Sequence, residues 1–296
     1  MSAVRAPVSE PPVAGAPAPA PAPKPFDRPR FLRAFTGLFF IYLFAPIVLV
    51  ALFSFNSTKS LQRFEGFSLQ WYQRFFEDES LRESLVASLQ IAFVTMLAAT
   101  ALGTMLAFGL VRARTRWAGS ANVLMLIPLV TPEIVAAVSA LVLFTQVGMQ
   151  LSLTTIMIAH ITFSISYVTV VVRARLAALN PEVEQAALDL GATRWVTLRL
   201  VTLPDLWPAI LAAGLLVFAL SFDDFVISFF TTGESPQPLP VRIYSAIRFG
   251  VTPTINAIGT LMLTFSALLI GLAILLPRLL GRRESGLGVL VGRETT

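Results

Sequence analysis

Long apolar blocks alternate with short polar ones along this chain. Six windows are apolar for long enough to cross ~30 Å of hydrocarbon, which takes ~20 helical residues: Ala34 to Phe53, Val86 to Val111, Ala121 to Thr145, Ser152 to Val172, Trp207 to Thr231 and Thr254 to Leu276. A strand barrel would instead show alternating segments of ~10 residues, and none appear. The pattern predicts an all-α membrane protein with six transmembrane helices.

The polar stretches between the windows differ in character. The stretch 54–85 carries FSLQWYQRFF followed by EDESLRES. It predicts a short amphipathic helix from Leu69 to Phe76, with Trp71, Phe75 and Phe76 anchoring at the membrane interface or touching a substrate. Ser80, with Glu83 three residues on, fits a capping box that opens the second span. The turn between the third and fourth windows has no charge. The last such segment, GESPQPLPVRIYSAIRFGVTP, presents Arg242, Tyr244, Arg248 and Phe249 on a proline-punctuated surface that either folds back on the bundle or receives a partner.

Composition agrees with a bilayer: 55% hydrophobic, 13% charged, mean hydropathy +0.75. The first 30 residues, with APAPAPAPKP, are too kinked and too poor in large apolar side chains to pack, and read as a disordered tail; residues 284–296 form a second tail. The chain has no cysteine, which excludes disulfides, thiol catalysis and cysteine-based zinc sites. A net charge of +5 does not imply nucleic acid, because the basic residues sort by loop. With the N-terminus inside, sixteen Lys and Arg fall on the inner segments and six on the outer ones, at 59, 63, 74, 82, 242 and 248. Positive charge resists translocation, so both termini are expected in the cytoplasm of a bacterial cell, with the chain in its inner membrane.

The same orientation places EQAALDLGATRWVTLRLVTLP, Glu184 to Pro204, on the inner side. Asn180 and Pro181 open a helix there, since asparagine caps free amides and proline needs no donor at the first helical position. Val183, Ala186, Ala187 and Leu190 recur at helical spacing and give a small apolar face. Gly191 supplies a left-handed cap. A second short helix is expected from about Thr193 to Thr202, closed by Leu203-Pro204 before the fifth span begins. Such a hairpin is either an ordered connection or a docking element, and connections this long without a task are uncommon.

This stretch resembles the signature loop of ATP-binding-cassette importer permeases: Glu-Ala-Ala, three residues, Gly, nine residues, Ile, one residue, Leu-Pro. Here Gln185-Ala186-Ala187 is followed after three residues by Gly191, then after nine by Val201, Thr202, Leu203 and Pro204. Gln185 stands where the family has glutamate, so the pairing of that glutamate falls to Glu184 or to a neutral hydrogen bond. PIVLVALFSFN, IPLVTPEIVAAVS, AHITFSISYV, SFDDFVISFF and LPVRIYSAIRFGVTPTINA resemble the spermidine/putrescine branch of the same family. The resemblance implies a type I importer bundle over residues 31–283 with coupling helices in the loop 173–205. Glu184, Gln185, Ala186, Ala187, Asp189, Gly191, Arg194, Leu203 and Pro204 would then couple to an ATPase, centred on Leu188 to Val196. It also implies an ATPase dimer, a second related permease and an extracytoplasmic binding protein as partners, with no cofactor or metal of its own. The chain has no G-x-x-x-x-G-K-[ST] loop, so the nucleotide would be hydrolysed by the partner.

Three acids lie inside apolar windows: Glu133 in the third, Asp223 and Asp224 in the fifth. Each costs ~2.5–3.5 kcal/mol at a bilayer centre unless it faces protein or water. The windows contain no interior Lys or Arg to pair with them, and His160 is the one base there. Either the acids line the pathway of a cation or they tie helices together. Pro128 and Pro132 should break the helix beside Glu133 near the membrane middle. The adjacent aspartates should point ~100° apart, so that one faces the pathway, and should share a proton when the site is empty. The competing functional readings are a gradient-driven carrier or channel, which would not need the ordered loop, and an importer for another small solute.

Overall fold

A computed structural model describes residues 30–281 apart from 61, 113–117, 235, 249 and 251, and only the backbone of residues 30, 118, 121, 122 and 277–281. Residues 1–29, the tail 284–296 and the side chains of Arg114, Arg116, Arg278 and Phe249 lie outside the described part. The helices are α1 (Arg30–Phe53), α2 (Gln70–Glu77), α3 (Glu79–Arg112), α4 (Ala118–Val130), α5 (Glu133–Gln146), α6 (Leu153–Ala177), α7 (Pro181–Asp189) and α8 (Arg194–Thr197). A π turn (Leu198–Thr202) then leads into α9 (Leu203–Asp223), α10 (Val226–Thr231), α11 (Leu239–Ile247) and α12 (Pro253–Gly281).

Two units make up the chain, Met1–Pro46 and Ile47–Thr296. In the first, the described part is the body of α1, an apolar helix in which Phe40 stacks on Phe44 with ring centres 6.1 Å apart. The packing and the sites described below belong to the second unit.

Five helical stretches are long and apolar enough to cross a membrane: Phe31–Phe53, Glu79–Arg112, Leu153–Ala177, Arg194–Asp223 and Pro253–Leu276. A sixth consists of Val123–Val130 and Glu133–Gln146, bent by 105°. The third apolar window is therefore interrupted by a sharp break. Pro132 is its cause: it lacks the amide hydrogen and takes extended angles (φ −54°, ψ 130°) just before α5. Pro128 stays inside α4.

Helices α3, α6 and α9 form the core of the second unit. Ala99, Gly103 and Ala107 on α3 let α6 approach closely, bringing Val168 and Val172 into the same buried cluster as Leu206, Ala213 and Val217. A Cβ built on Gly103 would lie 2.6 Å from the Val168 Cβ. Thr169 adds a polar tie, its hydroxyl donating to the Gly103 carbonyl at 3.2 Å. A second cluster joins Phe75, Ala92, Phe222, Leu239, Ile258 and Met262.

Several sequence expectations are corrected here. The α2 aromatics do not sit at an interface as a set. Trp71 and Phe75 are 3% and 2% exposed, and the Trp71 Nε1–H donates to the Asn56 carbonyl at 2.6 Å; only Phe76 is exposed. Buried Asn56 explains the inward turn, because its side chain also donates to the carbonyls of Ser60 and Arg63, both at 2.8 Å, and accepts from the Glu65 amide. The Ser80 and Glu83 capping box is not used. Helix α3 opens two residues earlier, at Glu79, with the Asp78 carboxylate as its cap, accepting from the Leu81 amide at 3.1 Å. Of the two options for the last polar segment, the structure takes the fold-back: Leu239 and Val241 of α11 are buried, and the Leu239 amide donates to the Ser88 hydroxyl.

Leu203-Pro204 does not end a helix. The chain runs from α8 through the π turn straight into α9, with the Leu203 amide donating to the Leu198 carbonyl five residues back. The wider π turn gives the Pro204 ring room that a regular α turn would deny it.

A substitution pair tests the α3–α6 approach. Gly103→Ala should lower the thermal unfolding midpoint, at a cost of about 1–3 kcal/mol for overpacking. Gly109→Ala, where an added Cβ meets nothing within 4 Å, should be neutral or stabilising. Equal midpoints for the two variants in detergent would contradict this packing.

Candidate functional site

Two helix breaks meet in the second unit. One is the Thr131-Pro132 corner between α4 and α5. The other follows Asp223, where α9 stops and Asp224 turns extended (φ −65°, ψ 123°) before α10. Helices α5 and α10 pack together, and Ala137, Phe144, Ala159 and Ile227 bury the contact. Beside the two breaks lies a chamber of about 530 Å³ lined by Thr131, Glu133, His160, Asp223, Asp224 and Phe225, with Phe163 and Tyr167 on one wall. All four membrane residues singled out from the sequence line this one chamber. Among the described residues, no Lys or Arg lines it.

A buried histidine holds the second break. Nδ1 of His160 lies 2.7 Å from the Ser221 hydroxyl on α9, and Nε2 lies 3.1 Å from Asp224 Oδ2 and 3.2 Å from the Ser228 hydroxyl on α10. The same Asp224 oxygen accepts from the Ser228 amide at 2.8 Å. The carboxylate beside Nε2 accepts a hydrogen bond from that nitrogen, so the ring donates to Asp224 there, and Nδ1 shares a hydrogen bond with the Ser221 hydroxyl. One imidazole thus ties α6 to the end of α9 and the start of α10, and the carboxylate caps the Ser228 amide in the first turn after the break.

The expected geometry of the aspartate pair is corrected. The helix ends between them, so both line the chamber instead of dividing between pathway and packing. The acid in side-chain contact with Asp224 is Glu133, reaching from the first position of α5. A carboxylate there also faces the positive end of the α5 dipole. Ser221 and Ser228 were missed from the sequence. Seven residues apart in an apolar run, they carried no signal until the break turned them toward one imidazole.

The other functional region is the α7–α8 corner. The Asn180 side chain caps α7 by accepting from the Glu182 amide at 3.0 Å, and Pro181 is its first residue. The helix ends in a Schellman arrangement, in which Ala192 N–H donates to Ala187 O at 3.1 Å and Gly191 N–H to Leu188 O at 2.9 Å. Gly191 has φ +90°, the left-handed conformation glycine adopts without strain. No residue of α7 is buried. Gln185, Ala186, Asp189 and Arg194 are exposed, as are Leu190 (90%) and Trp195 (68%). Glu184 behaves differently. It accepts from Arg112 at the end of α3 at 2.6 Å and from the Thr202 hydroxyl in the π turn at 2.5 Å. Neither partner was foreseen, although Arg112 in the last turn of its span was visible as a charge at a membrane edge.

Residues 99–286 match the family model described as binding-protein-dependent transport system inner membrane component. The chain belongs to this family. It is similar to the spermidine/putrescine transport system permease protein PotC of Haemophilus influenzae, 39% identical over 84% of this chain and 97% of that protein. It is also similar to PotC of Escherichia coli (strain K12), 36% identical over 81% and 92%, and to that organism's putrescine transport system permease protein PotI, 38% identical over 76% and 82%. Among solved structures, a chain of the bacterial ABC transporter involved in the import of the acidic polysaccharide alginate has a TM-score of 0.60 at 14% identity, covering 85% of this chain and 94% of that one. A chain of an amino acid ABC transporter has a TM-score of 0.57 at 18% identity, covering 72% and 99%. These place the permease in the type I importer fold.

Removing the imidazole from the second break has a measurable cost. His160→Ala leaves Asp224 and Ser221 without the ring and should lower the thermal midpoint by the equivalent of about 1–3 kcal/mol, while His160→Gln, which keeps an amide donor, should recover part of it. An alanine variant as stable as the native permease would contradict the assigned network.

Proposed function

We propose that this permease forms the membrane pathway of an ATP-driven importer for a polyamine such as spermidine or putrescine. The observation that carries the reading is the chamber itself: three carboxylates and one imidazole, with no lysine or arginine among the described lining residues. An apolar bundle keeps three carboxylates with one imidazole among them at a cost, and a translocated polycation offsets that cost when it arrives. Phe163, Tyr167 and Phe225 suit the same cargo, since aromatic faces attract ammonium groups and pack against methylene chains. The names of the relatives support this choice over another solute.

ATP hydrolysis belongs to partners. The permease pairs with a second related permease, an ATPase dimer and an extracytoplasmic binding protein. The α7–α8 corner faces the cytoplasm, as do both termini, and its exposed Gln185, Ala186, Leu190, Arg194 and Trp195 present the surface that enters the ATPase. The Schellman turn at Gly191 fixes the angle between the two short helices. Closure of the ATPase pair then shifts the corner, and the bundle changes which side of the chamber is open.

Uptake in membrane vesicles tests both ends. Glu133→Gln and Asp223→Asn should each reduce polyamine uptake about ten-fold or more, equivalent to about 1.4 kcal/mol, with assembly intact. Gly191→Val should abolish uptake while the chain still inserts, because a β-branched residue does not tolerate φ +90°. Native uptake in both acid variants would leave those residues a packing role only. Failure of any ATPase to co-purify with the native permease would overturn the importer.

A further inference from the structure

Glutamate at position 184 lies one residue before the place where the family signature carries its own glutamate, and the structure shows what occupies it. Its Oε1 accepts from the Arg112 guanidinium at 2.6 Å and from the Thr202 hydroxyl at 2.5 Å. These partners come from two long helical stretches: Arg112 is the last residue of α3, and Thr202 the last of the π turn that feeds α9. Arg112 is itself held over the Phe108 ring at 5.2 Å.

Among the threonines of the long helical stretches, Thr155 and Thr169 reach a carbonyl of another element and Thr202 reaches a carboxylate of one. Thr131, Thr162, Thr169, Thr231, Thr260 and Thr264 each donate to the carbonyl four residues back in their own helix. Thr202 is 1% exposed and sends its hydroxyl to another element instead. The π turn permits this, because its five-residue hydrogen bonds shift the side chain out of the regular α register. Side chains on α7 contribute little else to its attachment, since none is buried. A lone exposed ion pair would have little effect on stability. Here the carboxylate has two donors, one of them buried, and they belong to the two helices that form the core with α6.

We propose that Arg112, Glu184 and Thr202 form the strut that passes movement of the α7–α8 corner to α3 and α9, and that Glu184 is thereby withheld from the ATPase, leaving Gln185 to meet it. The inference rests on the importer reading above. Glu184 is a positioning residue: it acts through the bundle and touches neither cargo nor nucleotide.

The test uses the complete complex, permease with its ATPase and second permease, reconstituted with its binding protein, and compares spermidine uptake with ATP hydrolysis in the same vesicles. In Arg112→Ala and Thr202→Val the ATPase should still co-purify and hydrolyse ATP, while spermidine moved per ATP falls at least about five-fold, the lower range for coupling between sites. The reversed pair, Arg112→Glu with Glu184→Arg, should recover much of that ratio. Arg112→Lys and Glu184→Gln keep the side-chain lengths and give an intermediate loss if the alanine variant fails to assemble. An unchanged ratio in Arg112→Ala, Thr202→Val and Glu184→Gln would overturn the strut. So would loss of the ATPase from Glu184→Gln with Arg112→Ala still bound to it, which would make Glu184 a docking contact. A native complex with no ATPase attached would sink the importer reading, a result distinct from either.

Discussion

A main chain that leaves its helix inside an apolar bundle must find other partners for its amides and carbonyls. This permease does so twice in one place. Pro132 forces the first departure and Asp224 makes the second, and each break ends against a polar side chain. The Asp224 carboxylate takes the Ser228 amide and the His160 ring, while Ser221 secures the far side of that ring. The chamber follows from these substitutions, because helices that bend apart leave room between them, and the side chains satisfying the backbone become its walls. Polar function and fold stability therefore rest on the same few atoms.

The chamber also has one sign of charge. Glu133 and Asp224 approach from two different breaks, and Asp223 adds a third carboxylate to the lining. The other described lining residues include aromatic rings and serines but no Lys or Arg. On the proposed pathway reading the cargo supplies the positive charge, and the positive end of the α5 dipole moderates the repulsion at Glu133. At the opposite functional region the logic is reversed. The α7–α8 corner has no buried side chain of its own on α7, and its position depends on a capped turn and on Glu184 reaching back to the bundle. A rigid corner on a few fixed ties can be pushed as a unit.

Much of this was legible in the residues. The six apolar windows, the Asn180 cap and the Gly191 turn follow from periodicity and cap chemistry, and the cost of acids in hydrocarbon singles out Glu133, Asp223 and Asp224, though not their meeting in one chamber. What escaped notice shares one cause. The end of α9 at Asp223, the π turn before Pro204, the inward turn of Trp71 and the Asp78 cap are decided by tertiary partners: His160, the continuing helix, Asn56 and the close end of α2. A proline announces a break only where the surrounding helix cannot widen; Pro132 broke its helix and Pro204 did not. Likewise Arg112 and Thr202 read as an edge charge and a helix threonine until the fold brought them to Glu184.

The central claim is that the chamber at the two breaks lies on the path of a cation. The native chain contains no cysteine, so one introduced at Thr131 or Phe225 is the single thiol in the permease. In the assembled complex, a positively charged methanethiosulfonate should modify either thiol faster than its anionic counterpart, and saturating spermidine with ATP should slow the modification. Thiols that react equally with both reagents, at rates indifferent to spermidine, would contradict the account.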